Sequence, residues 1–315
     1  MQFFLSALLT SFVLVLALVP AVRRLSLQWE FVDRPSQRKI HTAPVPLMGG
    51  VAIFIGSAAA LMLFEGPSPR TLTIVIGGLA LVLIGSVDDW YKTKGLEFPV
   101  WPRLIGYILV SSVPLWFGIE IAGISDPIHQ GYLFFTPWLS WLMTMGWIFA
   151  ITNMINFIDG VDGLAAGIAS ISALTLMLAA LYKGQEGTAV LAAILAGACI
   201  AFLGYNFYPA KIFMGDAGAT FLGYTLAVIA VDGAFKSTTA LSILIPILAL
   251  GVPILDTSVV FIRRLLEKKS ICKADKLHTH HSLLKMGLSQ VQTVSFLYLI
   301  AALFSAISII LLMML

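Results

Sequence analysis

The stretch TLTIVIGGLALVLIGSVDD, residues 71–89, combines the two features that decide the fold. It is uncharged as far as Val87, and at 1.5 Å per residue it is long enough to cross most of the hydrocarbon core of a bilayer. It then ends in two adjacent carboxylates, Asp88 and Asp89. An apolar run of this length that stops at a pair of acids predicts a membrane-spanning helix with a polar site at one end.

The whole chain has the same character. It has 315 residues, of which 59% are hydrophobic and 11% charged, and its mean hydropathy is +0.96. Soluble domains carry about 25% charged residues, and a water-soluble globule cannot hide this much apolar surface. The composition excludes a soluble enzyme and a disordered chain, and no nucleic-acid partner is expected. We expect an all-α, polytopic integral membrane protein, with residues 1–315 forming a single domain in the lipid bilayer.

Ten apolar runs are candidates for membrane spans. Between them, five loops (23–47, 88–103, 154–161, 206–216 and 261–290) hold all but three of the 19 lysines and arginines. The positive-inside rule therefore places these loops in the cytoplasm. The runs lie near residues 3–22, 48–64, 71–87, 103–121, 136–153, 162–182, 187–205, 217–231, 239–260 and 291–314.

Small residues in the seventh run permit close helix packing. Ala192, Ala196, Gly197 and Gly204 suit contacts between spans of one chain as well as contacts between two chains. A homodimer is therefore an open alternative.

Polar groups that are costly inside a membrane collect at the ends of these spans. All of them lie where the orientation above places the cytoplasmic boundary, which predicts one polar site at that face. They are Asp88 and Asp89 after the third span, Asn153, Asn156, Asp159 and Asp162 between the fifth and sixth, Asp216 at the start of the eighth, Asp256 about one turn inside the ninth, and His278, His280 and His281 in the last loop.

Several of these residues also have an ordinary structural interpretation. Asp216 precedes an apolar run, as a helix N-cap does, and the Asn/Asp series suits caps and turns. Asp256 is placed to pair with Arg263 or Arg264 further along the same helix. The acid pair that ends the third span fits less well, because acids at a helix C-terminus oppose its dipole and need a cation to offset them.

The residue types indicate the chemistry. Carboxylate and amide oxygens suit Mg²⁺ or Mn²⁺, whereas a zinc site would show Cys and His at ligand spacing. The histidines lie near Lys273 and Lys276 and suit an anion, most simply a diphosphate. A divalent cation with basic groups at a water boundary predicts phosphoryl transfer. The donor would be a nucleotide-linked diphosphate and the acceptor a lipid phosphate.

Five ordered motif blocks resemble the polyprenyl-phosphate N-acetylhexosamine-1-phosphate transferase superfamily. The last block has the His-x-His-His form of enzymes that use UDP-N-acetylglucosamine, since Thr279 interrupts the three adjacent histidines typical of the muramoyl-pentapeptide branch. The blocks are Asp33-Arg34-Pro35 through Arg38-Lys39-Ile40-His41 to Pro46-Leu47-Met48-Gly49-Gly50; Asp88-Asp89; Asn153 to Gly163; Phe213-Met214-Gly215-Asp216; and Asp275-Lys276-Leu277-His278-Thr279-His280-His281.

The resemblance implies an enzyme of the cell membrane whose site faces the cytoplasm. It would transfer N-acetylglucosamine-1-phosphate from UDP-N-acetylglucosamine to undecaprenyl phosphate and release UMP, as the first membrane step of teichoic-acid or other envelope polysaccharide synthesis. It implies Mg²⁺ as the cofactor, with Mn²⁺ as an alternative. The implied roles are catalysis for Asp88 and Asp89, metal binding for Asp216 and Asn156, nucleotide binding for Asn153, Asp159 and Asp162, and diphosphate or sugar binding for His278, His280, His281, Arg263 and Lys39.

Three alternatives stay open at this point. One is phospho-N-acetylmuramoyl-pentapeptide transfer within the same superfamily. The second is an ion-coupled transporter, although transporters gather their carboxylates near the bilayer midplane around broken helices. The third is an intramembrane aspartyl protease, suggested superficially by the Gly215-Asp216 pair.

The role of the acid pair has two interpretations as well, a covalent nucleophile or a group that orients or deprotonates the acceptor. The second pKa of a phosphate monoester is near 6, so a lipid phosphate is already largely dianionic at neutral pH. This favours direct attack by the lipid phosphate, with Asp88 acting on the acceptor.

Overall fold

The computed structural model describes residues 1–34, 44–126, 131–233, 241–267 and 278–314. Within these ranges the chain is almost entirely helical. Two short antiparallel ladders pair β1 (Val32–Asp33) with β2 (Val45–Pro46) and β3 (Gly123–Asp126) with β4 (Gly131–Phe134). The helices are α1 (Gln2–Gln28), α2 (Gly49–Phe64), α3 (Pro69–Thr93), α4 (Val100–Ser111), α5 (Val113–Trp116), α6 (Pro137–Ile158), α7 (Leu164–Tyr182), α8 (Glu186–Asn206), α9 (Gly215–Gly233), α10 (Leu241–Ala249), α11 (Gly251–Leu266), α12 (Thr279–Lys285) and α13 (Gln290–Met313).

Six of the described helices, α1, α3, α6, α7, α8 and α13, are long and apolar enough to cross a membrane. Helices α10 and α11 add a seventh candidate if they are counted as one span, since they meet at a bend of 79°. Helix α2 is apolar but has only 16 residues, and the 19 residues of α9 include two carboxylates. The all-α, multi-pass membrane architecture is confirmed, whereas the predicted count of ten spans is not.

Two of the predicted spans are interrupted. The run 103–121 forms α4 and the four-residue α5, which are separated at Ser112 and followed by extended chain. The run 239–260 is broken at Leu250, between Ala249 and Gly251, and Pro253 follows in the first turn of α11. Proline has no backbone N–H to continue a preceding helix. A hydropathy pattern registers apolar length, and it does not register such bends.

The core of the molecule is built around α7, α8 and α9. Every residue of α9 from Ala217 to Gly233 is buried, and α3 and α6 pack against this helix. Helix α1 packs on α8, where a side chain at Gly197 would collide with the backbone of Leu8. Ala192 and Ala196 are also fully buried. These small residues of α8 therefore serve contacts within one chain.

Helices α3 and α9 lie antiparallel and unusually close. A Cβ at Gly77 would collide with the ring of Tyr224, and a Cβ at Gly85 would collide with the backbone of Ala217. The Tyr224 hydroxyl donates to the Thr73 carbonyl at 3.1 Å. As the residue numbers rise along α3, those of its partners on α9 fall. The end of α3 is thus fixed beside the start of α9.

The opposite end of the same helix pair carries a buried ion pair. The Arg70 guanidinium lies 2.5 Å from the carboxylate of Asp232, which also accepts a hydrogen bond from the Thr188 hydroxyl at 2.6 Å. Asp232 is 2% exposed. A buried carboxylate needs such partners. The ion pair lies at the C-terminal end of α9, opposite the end that carries Asp216.

The close approach of α3 to α9 gives a stability prediction. Gly85→Ala should destabilise the protein by about 1–3 kcal/mol, because the added methyl group forces two backbones apart. Gly146→Ala is the matched control, since Gly146 lies on α6 and an added Cβ there would meet no described atom within 4 Å. Thermal unfolding in detergent measures both. Equal melting temperatures for the two variants would contradict the proposed helix contact.

Candidate active site

Three carboxylates meet where α3 ends and α9 begins. One carboxylate oxygen from each of Asp88, Asp89 and Asp216 lies within 4.8 Å of the others. Asp89 accepts hydrogen bonds from the backbone N–H groups of Asp216, at 3.0 Å, and Ala217, at 3.3 Å. It therefore caps the N-terminus of α9, where the helix dipole favours negative charge. We call Asp88, Asp89 and Asp216 the acid triad.

Two cations offset the acid triad. The ammonium nitrogen of Lys92 lies 2.5 Å from Asp216, 2.9 Å from Asp88 and 3.5 Å from Asp89. Arg103, in the first turn of α4, approaches Asp88 at 3.2 Å. The need for a cation at this helix end follows from the sequence, but the motifs identify neither residue as its source. The signal that could find Lys92 is spacing, since it stands three and four residues after the acid pair.

The members of the acid triad differ in their access to solvent. The side chains of Asp88 and Asp89 are at most 2% exposed, while Asp216 is 17% exposed. Lys92 and Arg103 are 40% and 30% exposed. A ligand that arrives from solvent therefore meets Asp216 and the two cations first.

The acid triad fits a divalent cation. Clustered carboxylate oxygens are the ligands that Mg²⁺ and Mn²⁺ prefer, and the position between them already attracts the Lys92 ammonium. Asn156, the other ligand predicted from the sequence, is half-buried in the last turn of α6.

The segment after α6 reaches the same end of the molecule. Asp159, which follows the last residue of α6, is partly buried, and its pKa is raised to about 7 by burial and by the negative charge of Asp216. The negative charge of Asp216 thus acts on Asp159, and the role of Asp159 in nucleotide binding stays a prediction.

Two other polar residues of this segment form hydrogen bonds with the main chain. The Asn153 amide donates to the Phe149 carbonyl of its own helix at 2.7 Å. Asp162 accepts the backbone N–H of Ala210 at 2.9 Å and so holds the loop that precedes α9. The Asn153 bond lies inside α6 and is not a helix cap, the Asp162 bond joins two loops, and neither contact tests a role in nucleotide binding.

The end of the first motif block, residues 46–50, lies against the block that contains Asp216. The backbone N–H of Phe213 donates to the Pro46 carbonyl at 2.8 Å. Gly49 and Gly50 donate in turn to the carbonyls of Phe213 and Met214, both at 2.9 Å. Blocks that are far apart in the sequence are therefore joined by main-chain hydrogen bonds.

His278, His280 and His281, which we call the histidine cluster, lie at the start of α12. Hydrogen bonds connect this start to α11. The Nδ1 atom of His278 lies 2.6 Å from one carboxylate oxygen of Asp256, and the backbone N–H of Thr279 donates to the other oxygen, also at 2.6 Å. The expected ion pair of Asp256 with Arg263 or Arg264 is therefore wrong. Sequence patterns do not show how close α11 lies to the histidines in space, so they cannot identify His278 as the partner of Asp256.

The other two histidines differ in burial. His280 is 2% exposed, and its Nε2 atom, which has no hydrogen-bond partner among the described residues, lies against Gly160. Burial and the nearby charge of His281 lower the pKa of His280 to about 4, so this ring is neutral at pH 7. His281 packs 4.3 Å from the His280 ring. The contact with Gly160 brings the histidine cluster against the segment that holds Asp159.

The two arginines near the end of α11 differ in burial. Arg263 is exposed, whereas Arg264 is 5% exposed and shares the buried face of α11 with Asp256 and Val260. Sequence spacing alone does not show which arginine faces inward. Lys39 lies outside the described residues.

Comparison with known proteins adds the family. The model of glycosyl transferase family 4 matches residues 71–234, a range that contains the whole acid triad. A probable undecaprenyl-phosphate N-acetylglucosaminyl 1-phosphate transferase of Bacillus subtilis is 39% identical over 97% of this chain and 84% of its own length. The chain belongs to glycosyl transferase family 4. This confirms the superfamily predicted from the motifs.

Two further relatives show the breadth of the family. A decaprenyl-phosphate N-acetylglucosaminephosphotransferase of Mycolicibacterium smegmatis is 32% identical over 88% of this chain and 74% of its own length. A phospho-N-acetylmuramoyl-pentapeptide-transferase of Moorella thermoacetica is 31% identical over 76% of each chain.

The position of Lys92 among three acids gives a prediction about ions. In a chelating buffer, Lys92→Met should lower stability by about 1–3 kcal/mol, because clustered carboxylates lose their counter-charge. Added Mg²⁺ should then raise the melting temperature of this variant more than that of the wild type. Lys94→Met is the control for the loss of one positive charge, as Lys94 is exposed just after α3. An identical Mg²⁺ response in both variants would argue against a cation site at the acid triad.

The raised pKa of Asp159 gives a pH prediction. Its folded-state pKa of about 7 lies above the ordinary value of 3.8, so folding takes up a proton between these two values. The contribution of Asp159 to stability is fully present below about pH 4, falls as the pH rises towards 7, and levels off above it. Asp159→Asn should remove this fall. Melting temperatures measured from about pH 4 to about pH 8 test it, and parallel curves for variant and wild type would show that Asp159 titrates normally.

Proposed function

We propose that this family 4 chain transfers N-acetylglucosamine-1-phosphate from UDP-N-acetylglucosamine to undecaprenyl phosphate. The products are undecaprenyl-diphospho-N-acetylglucosamine and UMP. The observation that carries this function is the acid triad, with Lys92 and Arg103, at one end of a bundle of membrane-spanning helices. Such a site brings cations and hard oxygen ligands to the depth at which a lipid phosphate meets a soluble nucleotide sugar.

The choice of sugar rests on the relatives and on the last motif. The Bacillus relative, named for N-acetylglucosaminyl 1-phosphate transfer, matches nearly the whole chain at 39% identity, while the muramoyl-pentapeptide relative matches 76% of it at 31%. Thr279 stands where the muramoyl-pentapeptide branch has a histidine. These features favour N-acetylglucosamine over the muramoyl-pentapeptide alternative.

The reaction is proposed to be a direct displacement. An oxygen of the lipid phosphate attacks the β-phosphorus of the UDP-sugar, the bond from that phosphorus to the bridging oxygen breaks, and UMP leaves with the bridging oxygen. Because the acceptor is already largely dianionic, positioning and charge neutralisation matter more than a strong base. Lys92 and Arg103 are the partly exposed cations that would attract it. Asp88 orients the acceptor by holding both cations in place.

The two remaining acids are proposed to have different roles. Asp89 keeps the start of α9 in position through its two backbone hydrogen bonds. Asp216, the most exposed carboxylate of the triad, would hold Mg²⁺ together with Asn156. When bound, a divalent cation neutralises the negative charge that develops on the departing UMP.

The lipid substrate is proposed to approach from the side of α11. A cavity of about 180 Å³ lies between α7, α11 and α13, and its walls are apolar except near Asp256, Thr279 and His280. It can receive isoprene units next to the histidine cluster. The distribution of Lys and Arg supports a cytoplasmic position for this end of the molecule.

The rival classes account for less of the site. In a transporter the carboxylates would lie near the bilayer midplane, whereas the acid triad lies where α3 ends and α9 begins. In an aspartyl protease two carboxylates share a proton, whereas here two cations contact the triad. Family 4 membership supports the transferase as well.

The proposed function is tested by release of UMP. Purified protein with UDP-N-acetylglucosamine, undecaprenyl phosphate and Mg²⁺ should release UMP in an amount equal to the lipid-linked sugar formed. Asp216→Ala and Asp88→Asn should each lose turnover by about 100-fold or more, because they remove charge stabilisation and positioning. Glu186→Gln is the control for carboxylate loss, since Glu186 is exposed in the first turn of α8.

Several outcomes would contradict parts of this proposal. Turnover with UDP-N-acetylmuramoyl-pentapeptide in place of UDP-N-acetylglucosamine would reassign the sugar. A phospho-sugar bound covalently to the protein after incubation with UDP-sugar alone would replace direct displacement by a two-step mechanism. Near-normal turnover in Asp216→Ala would remove that residue from the site.

A further inference from the structure

Asp256 is a buried carboxylate whose contacts the reaction above does not explain. It lies in α11, is 5% exposed, and uses both of its oxygens. One oxygen meets Nδ1 of His278 and the other accepts the backbone N–H of Thr279, each at 2.6 Å. Burying a carboxylate is costly unless it is hydrogen-bonded. Both contacts go to a single short segment, the start of α12.

The contact with His278 fixes the state of its ring. A carboxylate only accepts hydrogen bonds, so Nδ1 must carry a proton and donate it. Nε2 is then the ring nitrogen left for a ligand. The ring is also held by its neighbours, with the Phe157 ring at 5.8 Å and the His280 ring stacked on it at 5.8 Å. Its side chain is 14% exposed, so a small polar group can still reach it.

The second contact of Asp256, with the Thr279 N–H, also restricts the His278 ring, because it holds the backbone next to that residue. His278 is the N-cap residue of α12, and the N–H of Thr279 is the first donor of that helix. The carboxylate that binds this donor sits on a different helix. Asp256 therefore fixes the backbone at the start of α12 through the Thr279 N–H. It also fixes the orientation of the His278 ring through Nδ1.

We propose that Asp256 positions His278 for the transfer reaction, by holding the ring with Nδ1 protonated and Nε2 directed to the diphosphate of the nucleotide sugar. This inference rests on the proposed function. An anion at Nε2 favours the doubly protonated ring, which donates one hydrogen bond to Asp256 and one to a phosphate oxygen. The carboxylate lets the ring carry that charge in a site that is mostly closed to water.

Asp256→Asn separates positioning from simple anchoring. The amide can still accept the Thr279 N–H with its oxygen, so the start of α12 stays attached. Its NH₂ group then faces Nδ1 of His278, which must act as an acceptor, and the ring loses the doubly protonated form. In a serine protease the same exchange leaves the geometry intact and changes the tautomer of the histidine. Here the remaining Nε2–H can still donate to a phosphate oxygen, so the exchange removes the positive charge of the ring.

We expect Asp256→Asn to lower kcat/KM for UDP-N-acetylglucosamine by about 10- to 100-fold. In a His278→Gln background the same exchange should cost nothing further, because its effect acts through the ring. Thr257→Val is the control on the neighbouring residue and should keep normal kcat/KM. Normal kcat/KM in Asp256→Asn would overturn the inference. So would a cost that adds to that of His278→Gln.

A second measurement needs no turnover. The chain has five histidines, and ¹⁵N spectra of histidine-labelled protein, assigned with His278→Gln, report which ring nitrogen carries the proton. The His278 signal should change from Nδ1-protonated in the wild type to Nε2-protonated in Asp256→Asn. An unchanged tautomer would overturn the inference by itself. Absence of UMP release by the wild type would instead count against the proposed function, while the spectra would still test the hold of Asp256 on His278.

Discussion

The close contact between α3 and α9 is the constraint on which the rest of the site depends. Glycines on α3 let the two backbones approach, and the antiparallel direction sets the C-terminal end of one helix beside the N-terminal start of the other. Asp89 fixes the position of the two helices along each other, because its carboxylate accepts hydrogen bonds from N–H groups in the first turn of α9. Three acids thereby meet in one place. Their mutual repulsion is a local cost that the packing of the two helices along their length offsets.

The same contact explains why the cations belong to the site. A helix C-terminus disfavours negative charge, yet α3 ends in two acids with a third from α9 close by. Lys92 and Arg103 compensate this charge from the last turn of α3 and the first turn of α4. Both remain partly exposed, so they can exchange one anionic partner for another. Phosphoryl transfer needs this property, because charge moves between acceptor, sugar phosphate and leaving nucleotide during the reaction.

Much of this arrangement is predictable from the sequence, and the limits have physical causes. Apolar length and the Lys/Arg pattern predict an all-α membrane protein with its polar groups at one end, and the motif blocks predict the family. The count of ten spans is not confirmed, because α2 is short, α9 includes two carboxylates, and hydropathy does not register the interruption at Ser112. The partner of Asp256 cannot be predicted from the sequence. Arg263 and Arg264 are near it in the sequence, whereas His278 is near it only in space. A one-residue choice, Arg263 or Arg264, depends on helix rotation, which tertiary packing decides.

The bend between α10 and α11 links the two halves of the site. A straight helix would continue along the bundle, but the change of 79° at Leu250 gives α11 a different direction from α10. Its buried face then carries Asp256 to the start of α12, which in turn sets His280 against Gly160. The acid half is therefore held by two long packed helices, whereas the histidine half is held by the hydrogen bonds to Asp256 and by packing against Phe157 and Gly160.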